Sequence, residues 1–318
     1  MLPAPSDIIA AAYRLRGVID RTPLIPAPLL SEIAGVDVYL KCENLQRTGS
    51  FKLRGAYNAL ALLPEAARKR GIVASSAGNH GLGVAYAAKL LGMRARIFVP
   101  ASAPRVKRDG IVALGADVDS SQPHYDEAHE AAVAYGHANS LMFVNPCAGE
   151  ALLAGQGTVG LEILEECPDV QTILVPVGGG GLLGGVSTIV RANAPGARIV
   201  GAQGDRSNAM AASLAAGQRV DVAVLPTLAD GLSGQVEDDG FAIGRVALDD
   251  IRVVNEDGIA AAITWLARAH DMKVEGSGAV GVAALLSREF APLRGPIAVI
   301  VSGGNIDDAM WQSLVAAH

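Results

Sequence analysis

Residues 175–185 read Val175-Pro176-Val177-Gly178-Gly179-Gly180-Gly181-Leu182-Leu183-Gly184-Gly185, a segment that indicates the fold class. An apolar run of strand length leads through four consecutive glycines into an apolar helical segment. Because glycine permits close approach of the backbone, the N–H groups of such a turn can surround an anion at a helix N-terminus. A phosphate is the natural ligand. Since no Gly-Lys-Ser/Thr follows, the loop is not a P-loop, and no acidic residue stands about 20 positions on to bind a ribose.

The same alternation continues along the chain, because apolar runs of strand length alternate with segments of helical period from about residue 36 onward. This pattern is typical of parallel α/β sheets with crossover helices. The 318 residues are enough for two domains at about 150 residues each, and no linker is visible between them, so we expect interleaved domains. The predicted elements include strands Ile72–Ala74, Ile173–Val177 and Ile297–Val301, and helices Ser50–Leu62, Ala148–Glu166 and Glu256–His270.

Charge and composition exclude several classes of function. Lys and Arg number 26 against 32 Asp and Glu, a net charge of −6 without blocks of like charge, so we expect neither nucleic acid nor a membrane as partner. The uncharged run 170–190 contains Pro176 and six glycines, which favours strand, loop and helix over a membrane span. Three cysteines match neither a disulfide framework nor a zinc site. The N-terminus lacks a secretory pattern, and we predict a cytoplasmic protein.

One of only six lysines lies in the motif Thr48-Gly49-Ser50-Phe51-Lys52-Leu53-Arg54-Gly55-Ala56. Lys52 falls at the start of a predicted helix between two apolar residues. The positive end of the helix and the apolar flank both favour the neutral amine, which is the nucleophilic form. A structural lysine whose alkyl stem covers apolar surface would give the same local pattern, so this segment alone leaves both interpretations open.

Two further loops follow predicted strands. The first begins a helix and consists of Ser75-Ser76-Ala77-Gly78-Asn79-His80-Gly81. Its N–H groups could bind a carboxylate or a phosphate, although a surface turn that caps the helix would have a similar sequence. The second follows the last strand and consists of Val301-Ser302-Gly303-Gly304-Asn305. Its Ser302 hydroxyl could reach a ligand at the carboxyl edge of a sheet, or the segment could be an ordinary turn. An amine, a carboxylate-sized loop, a phosphate loop and a hydroxyl together match the needs of pyridoxal phosphate and an amino acid.

On these motifs the chain resembles, over nearly its whole length, the fold type II (tryptophan synthase β-family) pyridoxal-phosphate enzymes, within them the serine/threonine dehydratase and serine racemase group. The resemblance implies two open, mostly parallel α/β domains with the cofactor in the cleft between them. Residues 1–48 and 145–318 would form the large cofactor-binding domain, and residues 49–144 the small substrate-gating domain. It also implies a homodimer that takes a small amino-acid substrate.

The resemblance also assigns roles to individual residues. Lys52 would be the catalytic Schiff-base lysine and the base for the α-proton, and Phe51 would pack beside the ring. Asn79 would bind the ring hydroxyl, and Ser302 the pyridine nitrogen. The loop that would hold the substrate carboxylate consists of Ser76, Ala77, Gly78, Asn79 and His80. The phosphate would be cradled by Gly178, Gly179, Gly180 and Gly181 with the N–H of Leu182.

The expected reaction is α,β-elimination of L-threonine or L-serine to a 2-oxo acid and ammonia. Family racemases carry a second serine where Ala77 stands, so its absence disfavours racemisation. Leu82 replaces the usual glutamine, and Gln203 replaces the glutamate that begins the family's cation site, so we expect no metal. The alternatives are a dehydratase of another β-hydroxy amino acid such as 3-hydroxyaspartate, a serine racemase, or an inactive cofactor-binding module. The unusual His124, Tyr125 and His129 leave the substrate's identity open.

Overall fold

The computed structural model describes residues 1–103, 105–287 and 292–317, apart from the side chain of Val106. The strands are β1 (Leu24–Pro26), β2 (Val38–Cys42), β3 (Ile72–Ser75), β4 (Ala95–Phe98), β5 (Asp117–Asp119), β6 (Met142–Phe143), β7 (Thr172–Pro176), β8 (Arg198–Gly204), β9 (Asp250–Val254) and β10 (Ile297–Val301). The first seven helices are α1 (Pro5–Arg14), α2 (Pro28–Ala34), α3 (Lys52–Ala61), α4 (Glu65–Arg70), α5 (Asn79–Leu90), α6 (Arg105–Ala113) and α7 (Tyr125–Ala138). The others are α8 (Glu150–Glu166), α9 (Gly181–Asn193), α10 (Ala209–Ala216), α11 (Asp238–Ala247), α12 (Glu256–His270), α13 (Gly276–Leu286) and α14 (Asp308–Ala317). Short 3-10 helices cover Glu43–Leu45, Asp205–Ser207 and Asp230–Leu232.

The strands form two separate sheets. The 6-stranded sheet has the order β1-β2-β10-β7-β8-β9, in which only β1 runs antiparallel to its neighbour. The 4-stranded sheet has the order β5-β4-β3-β6 and is parallel throughout. This confirms the predicted α/β class with mostly parallel sheets. The second sheet lies within residues 72–143, while the division into domains at residues 48/49 and 144/145 stays a prediction.

Both faces of the larger sheet are covered, which explains why its central strands are continuously apolar. In β10, Ala298 and Ile300 belong to one hydrophobic core, while Ile297, Val299 and Val301 belong to the core on the opposite face. Successive side chains of a strand point to opposite faces, so a strand buried on both sides needs apolar residues at every position. In the smaller sheet, β3 follows the same rule, because Ile72 and Ala74 belong to one core and Val73 to another.

The run at residues 170–190 folds as predicted into β7, the glycine loop and α9. No helix in the described part of the chain is long and apolar enough to cross a membrane. The strands β1 and β9 are not predicted from the sequence. β1 has only three residues and ends at a proline, and β9 begins with Asp250 and lies at the sheet edge, so neither shows a long apolar run.

A buried ion cluster fixes the helix that begins with Lys52. The Arg54 guanidinium is fully buried, donating from Nε to Glu43 Oε2 at 2.8 Å and from Nη1 to Glu162 Oε1 at 2.6 Å. Lys41, also fully buried, pairs with Glu162 Oε2 at 2.7 Å. Burial lowers the pKa of Arg54, but the charges of Glu43 and Glu162 outweigh it and raise the pKa. The cluster therefore joins α3 to β2 and α8 through buried groups whose positive and negative charges balance.

Candidate active site

Lys52 lies half-buried at the first position of α3. Its Nζ donates a hydrogen bond to the carbonyl oxygen of Pro146 at 2.9 Å and lies 5.3 Å from the centroid of the Phe51 ring. The Phe51 N–H in turn donates to the Ser302 carbonyl at 3.2 Å, and Ser50 forms a β-bridge with Gly303. The start of α3 is therefore joined to the loop that follows β10.

The glycine loop packs against the segment whose carbonyl holds the Lys52 amine. A Cβ built on Gly179 would lie 2.8 Å from Cys147 Sγ, and one on Gly181 would lie 3.0 Å from Cys147 Cα, so larger residues would clash there. Gly180 has a φ of +90°, a left-handed conformation that favours glycine. The backbone ladder of α9 begins with Gly184 N donating to Gly180 O at 2.8 Å, which leaves the N–H groups before Gly184 without helical partners. The loop therefore offers N–H groups to which an anion could bind.

The loop 76–80 adopts the tight strand-to-helix turn that the sequence predicts. The N–H of Gly78 donates to Ser76 Oγ at 3.1 Å, and a Cβ built on Gly81 would lie 2.2 Å from the Ser76 carbonyl oxygen. Ala77 is half-buried and contacts the core of the smaller sheet. The turn places the N-terminus of α5, with its positive dipole end, next to this loop.

His80 is a buried, neutral residue. Its Nε2 lies 2.9 Å from the Val144 carbonyl oxygen, to which it must donate, and Nδ1 has no protein partner in the structure described. Burial, reinforced by the charge of Lys52, lowers the pKa of His80 to about 3. The imidazole therefore carries no charge at physiological pH and offers Nδ1 only as an acceptor.

Asn79 and Ser302 lie within one polar network at the carboxyl edge of the larger sheet. Asn79 Nδ2 donates to Glu275 Oε1 at 2.6 Å, and Asn79 Oδ1 accepts from Asn305 Nδ2 at 2.6 Å. Ser302 is buried, and its Oγ donates to the Ser277 carbonyl at 3.3 Å. A Cβ built on Gly303 would lie 3.1 Å from Asn79 Nδ2, which brings the loops after β3 and β10 together.

The structure therefore collects the predicted site residues from four loops, and it adds Glu275 and Asn305, to which the sequence motifs assign no role. Asn305 nevertheless ends one of those motifs. The only local signal for Glu275 is an acidic residue just before the glycine-rich start of α13.

Other residues that stand out in the sequence have local partners. His129 packs edge-on against Phe143 with ring centroids 5.2 Å apart, and Tyr125 lies 6.1 Å from His129. Gln203 Oε1 accepts a hydrogen bond from the N–H of Ala211 in α10 at 2.9 Å. Leu82 contacts α6, since a Cβ built on Gly110 would lie 3.4 Å from Leu82 Cδ2. These contacts give each of them a packing or capping role.

The residues present fit pyridoxal phosphate. The glycine loop packs so closely on Cys147 that a Cβ at position 179 would clash with it, and the loop ends at a helix N-terminus, which suits a phosphate. The buried hydroxyls of Thr48, Ser50 and Ser75 border the Lys52 and Asn79 loops, and within the described residues they have no hydrogen-bond partner. The amine of Lys52, the glycine loop and these unsatisfied polar groups therefore lie on neighbouring loops.

Comparisons with known proteins agree with this geometry. The family described as pyridoxal-phosphate dependent enzyme matches residues 15–303. An L-threonine ammonia-lyase of Thermotoga maritima is 44% identical over 311 residues, covering 97% of this chain and 77% of the relative. Maize serine racemase superposes with a TM-score of 0.93 at 33% identity, covering 100% of this chain and 98% of the other. Threonine deaminase isoform 2 of Solanum lycopersicum gives a TM-score of 0.90 at 34% identity, covering 98% and 91%.

Proposed function

The chain belongs to the pyridoxal-phosphate dependent enzyme family, and from that premise we propose that it is an ammonia-lyase converting L-threonine and L-serine to 2-oxo acids and ammonia. Its cofactor is pyridoxal phosphate, as the family's name states. The observation that carries the proposal is the direct contact between the loops that hold the Lys52 amine, the glycines 178–181, Asn79 and Ser302. The predicted resemblance to this family is confirmed.

Each predicted site residue has a place in this proposal. Lys52 is the residue to which the cofactor attaches, and Phe51 lies beside it. The N–H groups of the glycine loop and of Leu182 would bind the phosphate, and Asn79 would bind the ring hydroxyl. Ser302 would donate its hydroxyl proton to the ring nitrogen in place of the Ser277 carbonyl. When bound, pyridoxal phosphate supplies an electron sink for negative charge at the substrate Cα. Because serine is neutral, its hydroxyl does not force a proton onto that nitrogen.

Lys52 is the base in this scheme. Its Nζ, oriented by the Pro146 carbonyl, takes the proton from the substrate Cα when the amine is free. His80 does not compete for that proton, because burial and the nearby lysine charge keep the pKa of His80 at about 3. The loop 76–80 binds the substrate carboxylate at the positive end of α5 through its remaining N–H groups, since those of Ser76 and Gly78 already donate to the Phe98 carbonyl and to Ser76 Oγ. The base and the anchor thus lie on separate loops.

The net reaction balances without an external oxidant or reductant. The Cα proton and the β-hydroxyl leave as water, and a water molecule then replaces the amino group, which leaves as ammonia. One molecule of hydroxy amino acid therefore gives one molecule of 2-oxo acid and one of ammonia.

A serine racemase is the second candidate, because maize serine racemase has the same fold along the whole chain. Racemisation requires a base on the face of Cα opposite to Lys52. At the position where the family resemblance implies a serine for that purpose, this chain has Ala77, whose methyl group can neither accept nor donate a proton. This observation favours elimination.

The decisive experiment combines a substrate panel with mapping of the modified lysine. L-serine, L-threonine and L-threo-3-hydroxyaspartate are each incubated with the holoenzyme, and 2-oxo acid release is followed alongside chiral analysis of the remaining amino acid. Borohydride reduction and peptide mapping should find the cofactor on Lys52. Lys52→Ala should abolish turnover, whereas Lys89→Ala, at an exposed position in α5, should retain it. Attachment to another lysine, or racemisation faster than elimination, would contradict the proposal.

We also propose that the enzyme is a cytoplasmic homodimer whose residues 49–144 form a small domain that gates the substrate. The ion pair between Lys107 of α6 and Asp230 at 2.9 Å supports the gating role, since it joins elements that flank different sheets. Cys42, Cys147 and Cys167 are free thiols, as suits a reducing compartment. Light scattering should give twice the chain mass, and cell fractionation should recover the protein in the cytosol; a monomeric mass or an extracellular location would overturn these assignments.

A further inference from the structure

Glu275 is a buried carboxylic acid at the edge of the proposed site, and the reaction as derived above does not use it. Its side chain is 5% exposed, and Oε1 accepts the hydrogen bond from Asn79 Nδ2 at 2.6 Å. A Cβ built on Gly303 would lie 2.4 Å from the same oxygen, so glycine at position 303 is what lets the carboxyl group reach Asn79. Although Glu275 stands at the N-cap of α13, its side chain does not cap that helix.

The hydrogen bonds of Asn79 fix which way its amide points. Asn305 Nδ2 donates to Asn79 Oδ1 at 2.6 Å and also to the Thr48 carbonyl at 2.8 Å. Because Asn305 presents a donor, the Asn79 oxygen faces Asn305 and the Asn79 nitrogen faces Glu275. An amide nitrogen carries two hydrogens, and Glu275 takes one of them. The second remains for a ligand.

We infer that Glu275 is a positioning residue, whose carboxylate holds the Asn79 amide so that its second N–H meets the ring hydroxyl of the cofactor. This inference rests on the proposed function. Glu275 itself does not touch the cofactor or the substrate in this scheme and acts through Asn79. The charge on its carboxyl group sets how firmly the amide is held, because a hydrogen bond to an ionised acceptor is stronger than one to a neutral acceptor.

The surroundings of Glu275 place its change of charge near neutrality. Burial, followed by the charge of Asp230, raises the pKa of Glu275 to about 7, while the hydrogen bond from Asn79 and the charge of Lys107 act in the opposite direction. Asp230 belongs to the 3-10 helix beside α13, and Lys107 to α6, and these two groups pair with each other. The Asn79 amide should therefore be held more firmly above pH 7 than at pH 6.

The first test uses the apoenzyme, so it does not depend on the cofactor. A carboxyl pKa that is raised in the folded state makes folding less favourable as pH rises from about 4.5 to 7. The melting temperature of Glu275→Gln should therefore match that of the wild type at pH 5 and exceed it increasingly toward pH 8. Glu65→Gln, an exposed control in α4, should leave the melting temperature unchanged at both pH 5 and pH 8. If the difference in melting temperature between Glu275→Gln and the wild type did not change with pH, Glu275 would not titrate as inferred.

The second test measures the binding and the visible absorbance of the cofactor. Glu275→Gln should weaken binding of pyridoxal phosphate at pH 8 about fivefold, the difference expected between a charged and a neutral hydrogen-bond acceptor, and should remove one pH-dependent step from the visible absorbance. In the Asn79→Ala background the same substitution should have no further effect on either reading. Equal losses in both backgrounds would refute action through Asn79. If wild-type protein binds no pyridoxal phosphate, the proposed function fails instead, and the melting experiment still reports on Glu275.

Discussion

Arg54→Leu is the substitution that most directly tests how the chain holds its lysine helix. The guanidinium is fully buried and makes paired hydrogen bonds to Glu43, at 2.8 and 2.7 Å, and to Glu162, at 2.6 and 2.9 Å. Leucine removes both pairs at once, so the carboxylates of Glu43 and Glu162 would share only the charge of Lys41.

The size of the effect follows from the unpaired charge. Breaking a buried ion pair by removing one partner costs about 3–5 kcal/mol, because the remaining charge is left without compensation. Glu43 is fully buried and Glu162 nearly so, and both lose their guanidinium partner. We therefore expect the free energy of unfolding to fall by about 4 kcal/mol at pH 8, within that range.

The loss should depend on pH with a definite sign. In the wild type, burial raises the pKa of Glu162, but Arg54 and Lys41 together outweigh burial and lower the pKa below its usual value. This carboxylate therefore contributes stability above about pH 4.5 and loses it as pH falls. In the variant, burial acts on Glu162 without Arg54, so this carboxylate takes up a proton already at higher pH. The difference between the two proteins should shrink as the pH is lowered from 8 to 5.

Urea denaturation followed by circular dichroism at pH 8 and pH 5 measures both quantities. Arg16→Leu, at an exposed position, is the matched control and should cost little. Adding Glu43→Gln to Arg54→Leu should restore part of the stability, because it removes one unpaired charge. A loss below about 1 kcal/mol at pH 8, the value typical of exposed pairs, would refute the reasoning.

Three further predictions concern the candidate site and its surroundings. Gly179→Ala should weaken retention of pyridoxal phosphate at least tenfold, because its Cβ would lie 2.8 Å from Cys147 Sγ; equilibrium dialysis measures this, and Cys147→Ala should partly rescue it if the clash is the cause. Lys107→Gln should raise KM severalfold with little change in kcat, since it breaks the ion pair with Asp230; steady-state kinetics that show a change in kcat alone would contradict this. Ala77→Ser should introduce weak racemase activity, and chiral chromatography that finds no D-serine would count against the assignment of that face.

Local patterns were sufficient to predict much of the fold. Helix α12 matches its predicted bounds, Glu256–His270, because the ends carry their own signals. Asn255 Oδ1 accepts from the Gly258 N–H at 2.8 Å at the N-terminus, and Asp271 ends the helix in a left-handed conformation. The glycine loop was equally visible, since consecutive glycines between a strand and a helix are typical of an anion-binding turn. The short edge strands β1 and β9 depend on pairing with neighbours and carry no such signal.

The candidate site likewise contains residues that local motifs identify and residues that only long-range contacts bring in. Lys52, Asn79 and the glycine loop stand in local motifs, and the family resemblance supplied their roles. Glu275 and Asn79 are separated by 196 positions, and Asn305 lies 226 positions from Asn79. A contact of this kind exists only once the ends of β3 and β10 meet, so single-sequence periodicity could not have paired these residues. Their partnership follows from topology.

The chain buries charge in two ways, and the contrast explains where its response to pH should arise. In the Arg54 cluster each acid faces a cation, the pKa of Glu162 is lowered by Arg54 and Lys41 despite its burial, and the paired charges hold α3 in place. Among the described residues, no ion pair joins Glu275 to a cation, and Lys107, the cation that acts on it, is paired with Asp230. A buried acid without a paired cation is the one that titrates near neutrality. Changes in pH between 6 and 8 should therefore reach the site through Asn79, while the position of Lys52 stays fixed.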